Sequence, residues 1–138
     1  MAELFRKTLS VRAPRRGLHE VTARVAEVVR ESGVKEGMCH LFLQHTSASL
    51  VLNENWDPSV RADLEAYLDR LAPEDDPSYT HTLEGSDDMP SHIKAALTPV
   101  SLTLPVAGGR LALGTWQGVY LWEHRDSAGP RNLVVTVF

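Results

Sequence analysis

Apolar residues recur at helical spacing in two parts of the chain. The first predicted helix has Thr22 as its N-cap, ends at Gly33 and places four valines on one face: Val21, Val25, Val28 and Val29. The second begins at Asp57-Pro58, where aspartate caps the helix and proline is its first residue, and ends near Ala72-Pro73. A short third helix is predicted over residues 90–97.

Short apolar runs bounded by turn residues predict strands elsewhere. These runs cover residues 4–11, 38–46, 101–106, 111–114, 116–124 and 133–138. In the second run, Cys39, Leu41 and Leu43 share one face, and the strand period of two places His45 at the end of that face. Gly108-Gly109 predicts a hairpin turn. Strands do not alternate with crossover helices, so the predicted class is α+β, a mainly antiparallel β-sandwich-like domain with two to three flanking helices.

Length, composition and charge exclude several classes of protein. The 138 residues predict one domain, 1–138, and 43% apolar with 23% charged residues is typical of a globular protein. A net charge of -4 disfavours nucleic-acid binding by phosphate neutralisation, and no apolar stretch is long enough to span a bilayer. With a single cysteine, Cys39, and no apolar signal core at the N-terminus, a cytoplasmic protein is expected.

Three blocks carry more polar side chains than turns and helix caps require: residues 45–57, 79–92 and 114–124. They contain His45, His81 and His92 on separate segments. Their spacing matches no local zinc motif, so the residues alone leave open a shared metal site or separate structural roles. Glu123 shares a strand face with apolar residues, so this face either reaches a polar site or ends in solvent.

The order of motifs in these blocks resembles the YjbQ-like family over residues 4–138. The motifs are His-Thr-Ser-Ala at 45–48, Asn-Glu-Asn-Trp-Asp-Pro at 53–58, Glu-Gly-Ser-Asp-Asp-Met-Pro-Ser-His-Ile-Lys at 84–94 and Gly-Thr-Trp-Gln-Gly at 114–118. The resemblance implies a β-sandwich-like domain with flanking helices, a cytoplasmic location and a homotrimer with its site near subunit contacts. Many members have Glu-Gly-Asn where this chain has Glu-Gly-Ser, followed here by a longer Asp-Asp-Met-Pro segment.

The resemblance also implies a set of site residues. The metal ligands would be His45, His81 and His92, holding a divalent ion, zinc or magnesium. The resemblance also implies catalytic roles for Glu84 and Glu123 and substrate contacts for Asn53, Thr115 and Gln117. The chemistry of the neighbouring residues, rather than the resemblance, adds Asp88 as a catalytic carboxylate and Thr46, Ser47 and Lys94 as substrate-binding residues.

Three functions fit these residues. Family members are often labelled secondary thiamine-phosphate synthase, which implies a weak transferase activity on phosphorylated small molecules. That chemistry needs cations for the leaving pyrophosphate, and Lys94 is the one cation close to the motifs in sequence. Metal-assisted hydrolysis, with Glu84 or Asp88 as the base, fits the same residues. The third function is non-catalytic: a trimeric protein that binds a small ligand.

Overall fold

The computed structural model describes residues 3–138, so Met1 and Ala2 of the predicted 1–138 domain lie outside the described residues. The strands and helices follow one another in the order β1 (Phe5–Val11), β2 (Gly17–Glu20), α1 (Thr22–Ser32), β3 (Gly37–Leu43), β4 (Ala48–Glu54), α2 (Pro58–Leu71), α3 (Asp88–Leu97), β5 (Ser101–Ala107), β6 (Arg110–Leu111), β7 (Gln117–Glu123) and β8 (Arg131–Val137).

The strands form two antiparallel sheets. The larger sheet has the order β1-β8-β3-β5-β6, and the smaller has the order β2-β7-β4. Every strand pair in both sheets is antiparallel. The predicted α+β class, with a sandwich-like arrangement and flanking helices, is confirmed.

The main core lies between the sheets and α1. Cys39, Leu41 and Leu43 are buried on one face of β3, as their alternation predicts, and the valines of α1 pack against them. The predicted N-cap is wrong, because Val21 occupies that position without a side-chain cap. The Thr22 hydroxyl accepts a hydrogen bond from the Val119 amide at 2.8 Å instead, which ties the start of α1 to β7.

Two element boundaries and one unpredicted strand differ from the sequence prediction in ways that shape the site. The predicted strand over residues 38–46 ends at Leu43, so His45 lies in the following turn. Strand β4 was not predicted, because polar residues surround its apolar start. Helix α3 begins at Asp88 rather than residue 90, which puts the Asp88 carboxylate in its first turn. Within residues 3–138, no helix is both long and apolar enough to cross a membrane.

Candidate metal centre

Two histidines and one aspartate converge at the start of α3. His81 comes from the loop before the helix, whereas Asp88 and His92 lie one turn apart on the helix itself. The Nε2 atoms of His81 and His92 lie 2.6 and 3.1 Å from the same oxygen, Asp88 Oδ2. One ligand atom from each residue lies within 4.8 Å of the other two, so a single ion can contact all three.

The orientation of His92 determines which nitrogen is free to bind an ion. Its Nδ1 lies 3.1 Å from the carbonyl oxygen of Thr46, and a carbonyl can only accept, so Nδ1 carries a proton. In the neutral ring, Nε2 then has no proton, and its lone pair is directed at the Asp88 carboxylate. Two acceptors this close require a proton or a metal ion between them. A histidine that donates to a backbone carbonyl through its other nitrogen is the usual arrangement of metal ligands.

Asp88 is held in its ionised form. Burial raises the pKa of this carboxyl, but the hydrogen bond from His81 and the positive charge of Arg125 outweigh burial, and the net pKa is lowered. Arg125 contacts Asp88 Oδ1 through Nη1 and donates through Nη2 to the backbone carbonyl of Glu84 at 2.9 Å. Its Nε also lies 3.2 Å from Asp87 Oδ2. Arg125 therefore fixes the carboxylate and the preceding loop together.

The structure places His45 outside this group. Its Nε2 accepts a hydrogen bond from the Asn132 amide at 2.7 Å, and its Nδ1 lies 3.4 Å from Arg131 Nη1. Burial and the charge of Arg131 lower the pKa of His45, which keeps the ring neutral. Because β3 ends at Leu43, the turn directs this ring to the start of β8. The clustered set is thus His81, Asp88 and His92, in place of the predicted three histidines.

Glu123 lies in the interior. It is 1% exposed, and its carboxylate accepts from Arg131 Nε at 2.7 Å and from the Arg125 amide at 3.1 Å. The alternative of a solvated strand end is therefore wrong. A carboxylate bound this way stabilises the junction of β7 and β8 and is not free to accept a substrate proton.

The neighbouring His124 is equally enclosed. Its Nε2 lies 2.9 Å from the Ser49 hydroxyl, and Nδ1 has no hydrogen-bond partner within residues 3–138. Burial, followed by the charges of Lys94 and Arg131, lowers the pKa of His124 to about 3. The ring is therefore neutral across the physiological range.

The predicted substrate-binding residues occupy different regions. Thr46 adjoins the centre through its carbonyl group, and the Ser47 carbonyl accepts from Arg131 at 3.2 Å. Lys94 is 2% exposed, and its ammonium group lies 2.6 Å from Asp69 Oδ1. Asn53 and Gln117 lie at the far end of the smaller sheet, five and six strand positions, roughly 17 and 20 Å, from the Ala48–Glu123 pair that adjoins the centre. Thr115 lies in the turn just before β7, beyond the same end of the sheet.

Two shallow cavities flank the centre. One, of about 320 Å³, reaches His81 and is rimmed by the acidic side chains of Glu74, Asp75 and Asp76. The other, of about 310 Å³, reaches His92 and has Ala95, Ala96 and Val100 among its lining residues. The two histidine rings are 5.4 Å apart between centroids. His81 borders the acidic cavity, and His92 borders the more apolar one, which His45 and Thr46 also line.

Sequence reasoning missed Arg125 and Asp87 as parts of this centre. Arg125 directly follows the predicted strand that ends at His124, and Asp87 lies inside the motif at 84–94, where no local pattern distinguishes it. Their contacts arise because the end of β7 meets the start of α3, and local pattern does not reveal that proximity.

Comparison with known proteins agrees with this architecture. The family model described as "UPF0047 protein YjbQ-like" matches residues 7–138, and the chain belongs to this family. It is 50% identical to a UPF0047 protein of Synechocystis over 122 residues, covering 88% of this chain and 83% of that protein. It is 48% identical to YjbQ of Salmonella typhimurium over 136 residues, covering 96% of both chains.

Solved structures of relatives share the fold. A YbjQ-like protein of unknown function from Sulfolobus solfataricus superposes with a TM-score of 0.89 at 26% identity, covering 98% of this chain and 96% of that one. The conserved hypothetical protein TT1486 from Thermus thermophilus gives a TM-score of 0.85 at 36% identity, covering 96% of this chain and 99% of that one.

Proposed function

We propose that His81, Asp88 and His92 bind a divalent cation and that this centre supports metal-assisted hydrolysis of a small substrate. The observation that carries the proposal is the meeting of two imidazole nitrogens and an ionised carboxylate oxygen within 4.8 Å. The Thr46 carbonyl fixes one imidazole with its Nε2 lone pair facing the site. Two histidines and one carboxylate suit zinc better than magnesium, which prefers oxygen ligands.

The two histidines are partly open to solvent, with 41% and 34% of their side chains exposed for His81 and His92. A bound divalent ion would leave room there for water, lower the pKa of that water and polarise a substrate oxygen. The apolar cavity beside His92 offers a place for the substrate body. Glu84 is the exposed carboxylate closest in sequence to the centre, and its backbone is fixed by Arg125, so it is the favoured general base.

The positions of the cations favour hydrolysis over thiamine-phosphate synthesis. Joining two phosphorylated substrates needs several cations to bind phosphate groups. The nearby cations are already paired: Lys94 with Asp69, Arg125 with Asp87 and Asp88, and Arg131 with Glu123. The charges of this site therefore give little support to a thiamine-phosphate synthase function.

Metal analysis of the purified protein tests the proposal. We expect about one zinc ion per chain in the wild type and near none in a His81→Ala/His92→Ala variant, while His19→Ala serves as a matched control outside the centre. Chromogenic phosphate and carboxylate esters then test hydrolysis, which chelation should abolish and zinc restore. Equal metal content in wild type and double variant would refute the site. Metal binding without any hydrolysis would favour the non-catalytic ligand binder.

We also propose that the chain forms a homotrimer and works in the cytoplasm. Large apolar side chains at the surface support self-association, since Phe42, Trp56 and Leu83 are each more than two-fifths exposed. The free thiol of buried Cys39 is consistent with a reducing compartment. Light scattering in dilute buffer should give about three times the chain mass. A monomer at micromolar concentration would contradict this part of the proposal.

A further inference from the structure

One cavity of the described residues lies away from the proposed metal centre. It occupies about 550 Å³ between α1 and the β5–β6 hairpin, within the size range of small-molecule pockets. Its lining includes the apolar side chains of Ala26, Leu111 and Leu113. None of the three clustered metal-site residues lines it, so it needs a separate explanation.

Three cations rim this cavity: Arg30, Lys35 and Arg110. Arg30 pairs with Glu27 at 3.2 Å across exposed surface, whereas Lys35 and Arg110 form no ion pair with any of residues 3–138. No carboxylate is among the lining residues. Three carboxylates contact lining residues from outside the cavity: Glu20 accepts from the Thr22 hydroxyl, Glu27 pairs with Arg30 and Glu36 accepts from the Gly108 amide. Lys35 and Arg110 are therefore the two rim cations that remain for a ligand.

The hairpin holds this rim in place. The Gly109 amide donates to the Lys35 carbonyl and the Gly108 amide to Glu36 Oε1, both at 3.0 Å. Gly108 and Gly109 have φ of 59° and 78°, a conformation that other residues rarely adopt. A Cβ on Gly109 would meet Lys35 Nζ at 3.3 Å, so the missing side chain also gives the ammonium group room beside the hairpin.

We propose that this cavity binds a small organic anion with an apolar body. The body would lie on Ala26, Leu111 and Leu113, and the anionic group, a carboxylate, sulfonate or phosphate ester, would face Lys35 and Arg110. Apolar lining with a few polar groups at one edge fixes both orientation and ligand class. An inorganic anion lacks the body, and a neutral aromatic lacks the charge, so each should bind more weakly.

The probe for this site is 2-naphthalenesulfonate, which is neither hydrolysable nor a strong metal ligand. Amide chemical shifts are followed in protein treated with chelator, and 2-naphthol and inorganic sulfate are titrated in parallel. We expect the sulfonate to bind about tenfold more tightly than either comparison ligand. The largest shifts should fall on Gly108, Gly109 and Leu111.

Two kinds of variant test the assignment. Lys35→Gln/Arg110→Gln removes the free charges and should weaken sulfonate binding about tenfold while leaving 2-naphthol binding unchanged. Ala26→Trp fills the cavity and should weaken both ligands. Lys7→Gln/Arg24→Gln, two cations beside a neighbouring cavity, is the matched control and should bind as the wild type does. Equal sulfonate affinity in wild type and Lys35→Gln/Arg110→Gln, or shifts centred on α3, would overturn the proposal.

Discussion

Replacing Asp88 by asparagine separates the structural role of this carboxylate from its proposed role as a metal ligand. The substitution keeps the shape of the side chain but removes the charge that faces Arg125 and both imidazoles. Asp88 is 3% exposed, so these are buried, charge-assisted contacts. Such contacts contribute about 1.5 to 3 kcal/mol, and in the presence of chelator we expect a loss of about 2 to 3 kcal/mol in unfolding free energy.

Thermal denaturation measures both effects. For a chain of this length about 4 °C of Tm corresponds to 1 kcal/mol, so Asp88→Asn should lower Tm by roughly 8 to 12 °C without metal. Zinc at 100 times its Kd should stabilise the wild type by about 2.7 kcal/mol. If Asp88→Asn weakens zinc binding about 100-fold, the same zinc concentration stabilises the variant by only about 0.4 kcal/mol.

Asp87→Asn is the matched control for this experiment. Asp87 is also buried against Arg125 and accepts from the Asp126 amide at 2.8 Å, but it lies outside the clustered ligand set. This control should lose stability in chelator yet keep the full zinc increment. A full zinc increment in Asp88→Asn would refute the ligand assignment, and unchanged stability in chelator would refute the anchoring of Arg125.

Three further predictions concern neighbouring residues. His45→Phe should leave the zinc content unchanged, because the Asn132 amide already occupies Nε2; zinc analysis checks this. Glu123→Gln should lower the unfolding free energy by about 3 kcal/mol in urea denaturation, since it breaks the buried pair with Arg131, and should not change zinc affinity. The unfolded chain protonates His124 near its ordinary pKa of 6.5, but burial and nearby charge keep the folded pKa at about 3. The protein should therefore lose stability as pH falls from 6.5 toward 3, by up to about 1.4 kcal/mol per pH unit from this group, and His124→Gln should lose less.

Each of these predictions has a result that would contradict it. Loss of zinc in His45→Phe would return that ring to the ligand set. If Glu123→Gln is as stable as the wild type, the buried carboxylate makes no net contribution to the free energy of unfolding, as has been found for some buried ion pairs. A pH profile of stability identical in wild type and His124→Gln would show that other groups cause the acid sensitivity.

Local chemistry was sufficient to predict much of the secondary structure. Asp57 caps α2 and accepts from the Ser59 amide at 2.9 Å, and Pro58 is its first residue, because both effects act within one helical turn. Gly33 ends α1 in the left-handed conformation for the same local reason. The Gly108-Gly109 turn joins β5 to β6, and the two-residue period of β3 correctly predicts its buried face.

The site depended on where chain segments meet, which no sequence period specifies. His81 and His92 were singled out by the motifs, but their common partner is Asp88, because α3 begins one half-turn earlier than its proline suggests. His45 also lies in one of the motifs, but β3 ends before it, and its ring faces the Asn132 amide. Arg125 holds Asp88 because β7 delivers it to the start of α3. The sequence thus determined which residue types were available, and the packing of strand ends against one helix decided which of them form the centre.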